Sequence, residues 1–293
     1  MPPRFGKGNF GADPIFTGYD PSFEDKEKLY ASCLDFDFSK FVCSGDIPET
    51  RGIMDMMTRE DQYRMNSCGG FGMAHTAQVA WWLQTGDFRE FNPHWAYIMG
   101  QQIDGRKTDS GVSIRGVVEA GKRFGLLVQD VENDGKLEFA YPRDNYRFRY
   151  PKEAAAIAAQ RKIGYSAAVR GFKAKLNFLQ ANQGAIVNGG SWGNWKPDRN
   201  GICRKFVRTT RYSGAYHARA YVDWITINGE VFLVEANSHF RSFGKNGYSF
   251  HSEEFVAAQD KDPAYVDVGV SDISLGPGDT PKQRAPRRFV KLT

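Results

Sequence analysis

The chain has 293 residues and a formal net charge of +5, and 41% of its residues are hydrophobic and 14% aromatic. Such a composition buries a sizeable core in one or two domains, which excludes a disordered or collagen-like chain. Five positive charges (Lys282, Arg284, Arg287, Arg288 and Lys291) sit in residues 281–293, which hold no acidic residue, so the rest of the chain is neutral. Contact with nucleic acid is therefore expected only through this basic tail. The longest apolar run, Ala154 to Ala159, has six residues. A membrane span needs roughly 18, so none is expected.

Residues 1–20 are rich in Gly and Pro and read as an extended arm without a secretory signal. Glu24 to Tyr30 reads as a short helix. Cys68 to Gln84 is predicted helical: Asn66-Ser67 offers capping side chains, Val79, Ala80 and Leu83 share a side, and Gly86 ends it. Gly69, Gly70 and Gly72 in its first turns are poor helix formers, so something is expected to approach the backbone there. Further helices are predicted from Asn92-Pro93 to about Gln102, from Ser113 to Arg123, from Glu153 to Arg161 and from Arg170 to Ala181. After Gly184 the pattern turns to strands: Ala185 to Val187, then Tyr216 to Ile227 and Glu230 to Ala236 around Asn228-Gly229. Gly189 to Trp195, aromatic and Gly-rich, reads as a surface loop or as the lining of a binding cleft, Ser191-Trp192-Gly193 within it as loop, and 275–288 as a flexible tail. A helical half followed by a sheet-rich half is an α+β arrangement with two lobes.

Cys68 starts a helix, where the dipole favours the thiolate. Of five histidines, His75 lies about 10 Å further along the same helix, too far for a hydrogen bond to the sulfur. His94 has no evident partner. His217 is in the first strand of the hairpin, and Asn237 follows the second. A thiol, an imidazole and an orienting amide form a hydrolytic triad. Gln62 and the Cys68 N–H would donate to an oxyanion.

Several segments resemble the papain-like cysteine peptidases. Asp46-Ile47-Pro48-Glu49-Thr50 is similar to that family's mature N-terminal segment, and Gln62 stands six residues before Cys68 as its oxyanion Gln stands before the nucleophile. Asn66-Ser67-Cys68-Gly69-Gly70-Phe71 falls at the nucleophile segment. Asp109-Ser110-Gly111 resembles the entry to the next helix, Gly214-Ala215-Tyr216-His217-Ala218 the His strand, Glu235-Ala236-Asn237-Ser238 the Asn segment, and Asn246-Gly247-Tyr248 the strand beyond it. The order Gln, Cys, His, Asn is kept. The departures are Gly69 for the Trp after the nucleophile, Met65 for a half-cystine, and His239 for the Trp that shields the His–Asn bond. Four cysteines and no neighbouring disulfide suit reduced thiols and a cytoplasmic or virion-associated setting.

The resemblance implies a papain-like two-lobe α+β fold, with a helical N-terminal lobe and an antiparallel β-sheet or barrel C-terminal lobe. It implies an arm at 1–45, a peptidase domain at 46–255 (lobes about 46–150 and 184–255) and an extension at 256–293. It also implies catalytic Cys68, His217 and Asn237, oxyanion donor Gln62, and a peptide or protein substrate between the lobes. Neither metal nor cofactor is expected: Asp104, Asp109, Asp130 and Asp134 share no ligand spacing. The arm is a candidate cover for the cleft, or a contact to an assembly partner. The competing reading is a catalytically weak or inactive structural or binding component of a viral particle or other large assembly.

The hairpin carries a register test. A strict two-residue turn at Asn228-Gly229 sets His217 opposite Phe240 and puts His217 and Asn237 on opposite faces. A three-residue loop, or an equivalent bulge, sets His217 opposite His239 with Asn237 its diagonal neighbour. The triad requires the second register.

Overall fold

A computed structural model of the chain describes residues 18–34, 36–43, 46–57, 61–129, 139–192, 196–206, 216–239, 243–276 and 289–291. Residues 1–17 of the arm, Asp130, Asp134, Gly193 to Trp195, Gly214-Ala215, Phe240 and most of the basic tail lie outside these segments.

The long helix α2 (Cys68–Thr85) is buried around nearly its whole circumference. A helix apolar on all sides belongs in an interior, and α2 lies between two layers. On one side are α3 (Pro93–Ile103) and α4 (Ile114–Arg123); on the other is the sheet. The glycines explain the fit. A Cβ on Gly70 would stand 2.1 Å from the Pro93 carbonyl oxygen, and one on Gly72 2.9 Å from that of Arg219. The backbone approach expected from their sequence positions is thus made by α3 on one side and a strand on the other.

The sheet has seven strands in the order β2-β8-β3-β5-β6-β7-β4. They are β2 (Ile163–Ala168), β3 (Ala185–Ser191), β4 (Ile202–Cys203), β5 (Tyr216–Ile227), β6 (Glu230–Ala236), β7 (Tyr248–His251) and β8 (Val266–Ile273). All pairs are antiparallel except β4 with β7. One face packs on α2 through Val187, Ala218 and Val268. The other packs on α6 (Gly171–Gln180) and α7 (Glu253–Gln259), with Phe178 against Gly269 and in one core cluster with Ile186, Tyr221 and Leu233.

Residues outside 46–255 belong to the same fold. The inner strand β8 lies beyond the boundary expected at 255. The short strands β1 (Phe41–Cys43) and β9 (Phe289–Lys291) pair antiparallel, and α1 (Lys26–Ala31) buries Leu29. The inner strand β8 left no alternation clear enough to be predicted, because it is buried on both faces; the edge strand β2 alternates only in part. The helix α5 (Lys152–Ala158) ends three residues before the predicted Arg161.

The β5–β6 hairpin resolves the register in a way of its own. Asn228 and Gly229 both have positive φ, at 52° and 79°, and form a tight two-residue turn with Ile227 opposite Glu230. The three-residue loop is therefore not used. Instead Val222 is an extra residue between the pairs Asp223–Val234 and Tyr221–Glu235, and beyond it every pair is shifted by one. The bulge is held by the Asp223 carboxylate, which accepts from the backbone N–H groups of Arg51, Ile53 and Trp224 and from the Thr50 hydroxyl.

Gly70→Ala is expected to destabilise the protein by about 1–3 kcal/mol, because the clash with a backbone oxygen outweighs a helix-propensity gain of about 1 kcal/mol. Gly105→Ala, where no atom lies within 4 Å of the added carbon, tests strain at positive φ alone. Denaturant midpoints of the two variants separate the effects.

Candidate active site

Cys68 is the first residue of α2, and its side chain is fully buried. The backbone N–H of Ala218, the residue after His217, donates to Sγ at 3.3 Å. The expected cap is not made: Ser67 makes no side-chain capping bond, and its hydroxyl lies 2.8 Å from the Tyr141 hydroxyl. Asn66 is spent on Asp109, through its backbone N–H to Oδ1 and its side-chain amide to the carbonyl. The thiol also departs from the dipole expectation. Burial pushes its pKa up to about 12, against the opposing pull of the Ala218 N–H, the Arg219 charge and the first amides of α2. In this arrangement Cys68 is a neutral thiol.

His217 Nε2 lies 2.9 Å from Asn237 Oδ1. An amide oxygen only accepts, so Nε2 carries the proton and Nδ1 is the basic nitrogen. The shifted pairing beyond Val222 brings both side chains to one face. The His239 ring stacks on the His217 ring, with centroids 4.6 Å apart and planes 12° from parallel. The Trp192 indole meets the same imidazole edge-on, at 4.6 Å and 75°. Trp192 is buried and follows directly on β3. It was read from sequence as part of a surface loop; its place against His217 follows from β3 running antiparallel to β5 with Gly190 opposite His217. The shield that His239 was expected to lack therefore comes from another strand. Burial, and then the Arg219 charge, push the pKa of His239 down to about 4, so it adds no charge beside His217.

Gln62 is fully buried and bridges two segments. Its side-chain amide donates to the Met65 carbonyl at 3.1 Å, its Oε1 accepts from the Ser238 hydroxyl at 2.6 Å, and its backbone N–H donates to the Ser238 carbonyl. It thus ties the turn before Cys68 to the residue after Asn237. Tyr141, which sequence reasoning did not single out, donates to the Gln62 carbonyl at 3.0 Å. The other histidines stand elsewhere. His94 has partners after all: Nδ1 is 3.0 Å from the Tyr150 hydroxyl, Nε2 is 3.2 Å from the Tyr146 carbonyl, and burial lowers its pKa to about 4.

The arm reaches the site. Val112 N–H donates to the Gly18 carbonyl at 2.8 Å, Asp20 N–H donates to the Val112 carbonyl, and Gly18 forms an antiparallel bridge with His217. Gly18 has φ +74°, and an added Cβ would strike the Asn66 carbonyl. Tyr19 is buried, with its ring edge-on to Tyr216 and its hydroxyl donating to the Ala264 carbonyl. Asp20 pairs with Arg106. Residues 18–20 therefore lie between the α4 entry loop and the His217 strand. Among the described residues no three His, Cys, Asp or Glu side chains group as metal ligands, and none of the four cysteines forms a disulfide.

No family model matches the sequence, and no curated protein does. The fold does match solved structures. Xylellain, a cysteine protease from Xylella fastidiosa, aligns with TM-score 0.59 at 15% identity, over 88% of this chain and 96% of that one. The proform of the ragweed pollen allergen Amb a 11, a cysteine protease, aligns at 0.58 and 14% identity, over 88% and 76%. The proCathepsin B S9 of Trypanosoma congolense aligns at 0.58 and 10% identity, over 90% and 89%. The chain has the papain-like cysteine protease fold.

Proposed function

We propose that the chain is a thiol-dependent hydrolase that cleaves peptide bonds, with Cys68 as nucleophile, His217 as base and acid, Asn237 as its orienting amide and Gln62 as an oxyanion donor. The observation that carries this reading is the His217 Nε2–Asn237 Oδ1 bond at 2.9 Å beside a thiol that takes the next residue's N–H at 3.3 Å. Nε2 is occupied, so Nδ1 is the nitrogen left to take the Cys68 proton. Sγ attacks the peptide carbonyl carbon. The negative oxygen is met by the Cys68 N–H at the helix start and by the Gln62 side-chain amide, whose NH2 group has two donors. His217 returns the proton to the departing amine, and water then cleaves the thioester.

The buried neutral thiol marks a covered state of this site. Residues 18–20 occupy the edges of Val112 and His217 that an extended peptide would use. The Amb a 11 structure is of a proform and the Trypanosoma congolense structure is of a proCathepsin, and we read the arm here as a cover over the site. The covered thiol also favours a second reading, that of a binding component with a silent site.

Labelling with a peptidyl epoxide, read by intact mass and peptide mapping, separates the readings. The expected result is one adduct on Cys68, abolished in Cys68→Ala and slowed roughly 10²–10⁴-fold in His217→Ala, the range of a lost general base. No adduct in the whole chain and in the chain lacking residues 1–20 alike, or equal labelling of Cys33, Cys43 and Cys203, would establish the silent component instead.

Removing residues 1–20 is expected to speed Cys68 labelling at pH 7 at least tenfold. In the full-length chain the rate should climb with pH into the alkaline range, because burial raises the thiol pKa and the thiolate forms only as pH rises. An unchanged rate in the shortened chain would refute the cover.

A further inference from the structure

Behind His217 the sheet carries a row of polar side chains on the face turned to α6 and α7. Strand pairing sets Asp267 opposite Asn188 and Asn188 opposite Arg219; it sets Tyr221 opposite Glu235 and Glu235 opposite Ser249. All are buried. Side chains two apart on a strand share a face, so Arg219 stands next to His217 on β5, and Glu235 next to Asn237 on the β6 side. The Arg219 guanidinium lies 3.5 Å from the Glu235 carboxylate and over the Trp192 ring at 5.3 Å. The same indole makes the T-shaped contact with the His217 imidazole. Arg219 is thus one aromatic ring away from the His217 imidazole and one residue from the amide that holds Sγ.

We propose that Arg219 is a positioning residue of the Cys68–His217 pair, holding Trp192 against the imidazole and lending the thiol a positive potential from within the sheet. The proposal rests on the peptidase reading and adds to it a source of thiolate stabilisation besides the helix dipole. An arginine stays charged at any depth, and a charge enclosed by protein is little screened by salt. Its sign favours a thiolate and opposes an imidazolium.

The groups facing Arg219 set its net field. Glu235 is its ion-pair partner from β6, and burial raises the Glu235 pKa to about 7, so below neutrality the cation is only partly compensated. From β8, Asp267 is held by the buried Lys175 of α6 at 2.9 Å, and Lys175 also holds Asp260 at 2.7 Å. From β7, His251 stands 3.5 Å from Glu235, with Nε2 2.9 Å from Ser249 Oγ; burial pushes its pKa well below the ordinary range, which keeps it neutral. Burial likewise keeps the Cys203 thiol protonated, and His239 is neutral.

The test is the pH profile of Cys68 alkylation by iodoacetamide in the full-length chain, read by peptide mapping. Arg219→Met is expected to move the profile to higher pH by roughly one unit, and Arg219→Lys to leave its position near that of the wild type. Glu235→Gln, which removes the compensating charge at constant shape, is expected to move it to lower pH. A merely structural role would lower the rates without moving the profile, and opposite shifts cannot arise from loosened packing. Should Arg219→Met not fold, Glu235→Gln carries the test alone, and an unmoved profile there overturns the proposal. A Cys68 that alkylates neither in the wild-type chain nor in the chain lacking residues 1–20 would instead refute the peptidase reading, and this inference with it.

Discussion

The contact between the first turns of α2 and the backbone of β5 is the constraint from which the site follows. Gly72 lets the Arg219 carbonyl come close, and the Ala218 N–H reaches Cys68 Sγ. A side chain at Gly72 would hold helix and strand apart. With none there, the thiol at the start of a buried helix lands beside the strand residue that bears the imidazole. Gly70 does the same for α3, so one helix is clasped from two sides and its N-terminus has a single position.

A second constraint lies far from the thiol. The Val222 bulge corrects a hairpin whose tight turn alone would have set His217 and Asn237 on opposite faces. The Asp223 carboxylate pins that bulge with four hydrogen bonds, three of them to backbone. Bulges re-aim side chains in this way near functional sites. The pairing of imidazole and amide therefore depends on the turn at residues 50–53, which touches neither of them.

Burial governs the electrostatics throughout. The helix start favours a thiolate, yet desolvation of the fully buried sulfur outweighs it. The same desolvation lowers the pKa values of His239, His94 and His251, while the Asn237 amide orients His217. The polar row of β3, β5, β6, β7 and β8 makes the far face of the sheet unlike an ordinary apolar core. Its charges are paired internally rather than solvated.

Much was legible along the chain. The helices at 68, 93 and 114, and the hairpin strands to the residue, follow from caps, periodicity and the Asn-Gly turn, which act over a few neighbours. The four candidate residues Gln62, Cys68, His217 and Asn237 were nameable because their types and order are local text. Three things were not legible. Trp192 reads as loop because nothing in Ser191-Trp192 says that β3 will run beside β5. The bulge reads as ordinary strand because an extra residue shows only against a partner. The state of the thiol depends on its complete burial in the folded chain, which no residue beside Cys68 announces. Local propensity determined the elements and the reactive residue types. Tertiary packing decided which groups meet, which ring shields the imidazole, and whether the sulfur carries its proton, because those are properties of contacts and burial that no single segment contains.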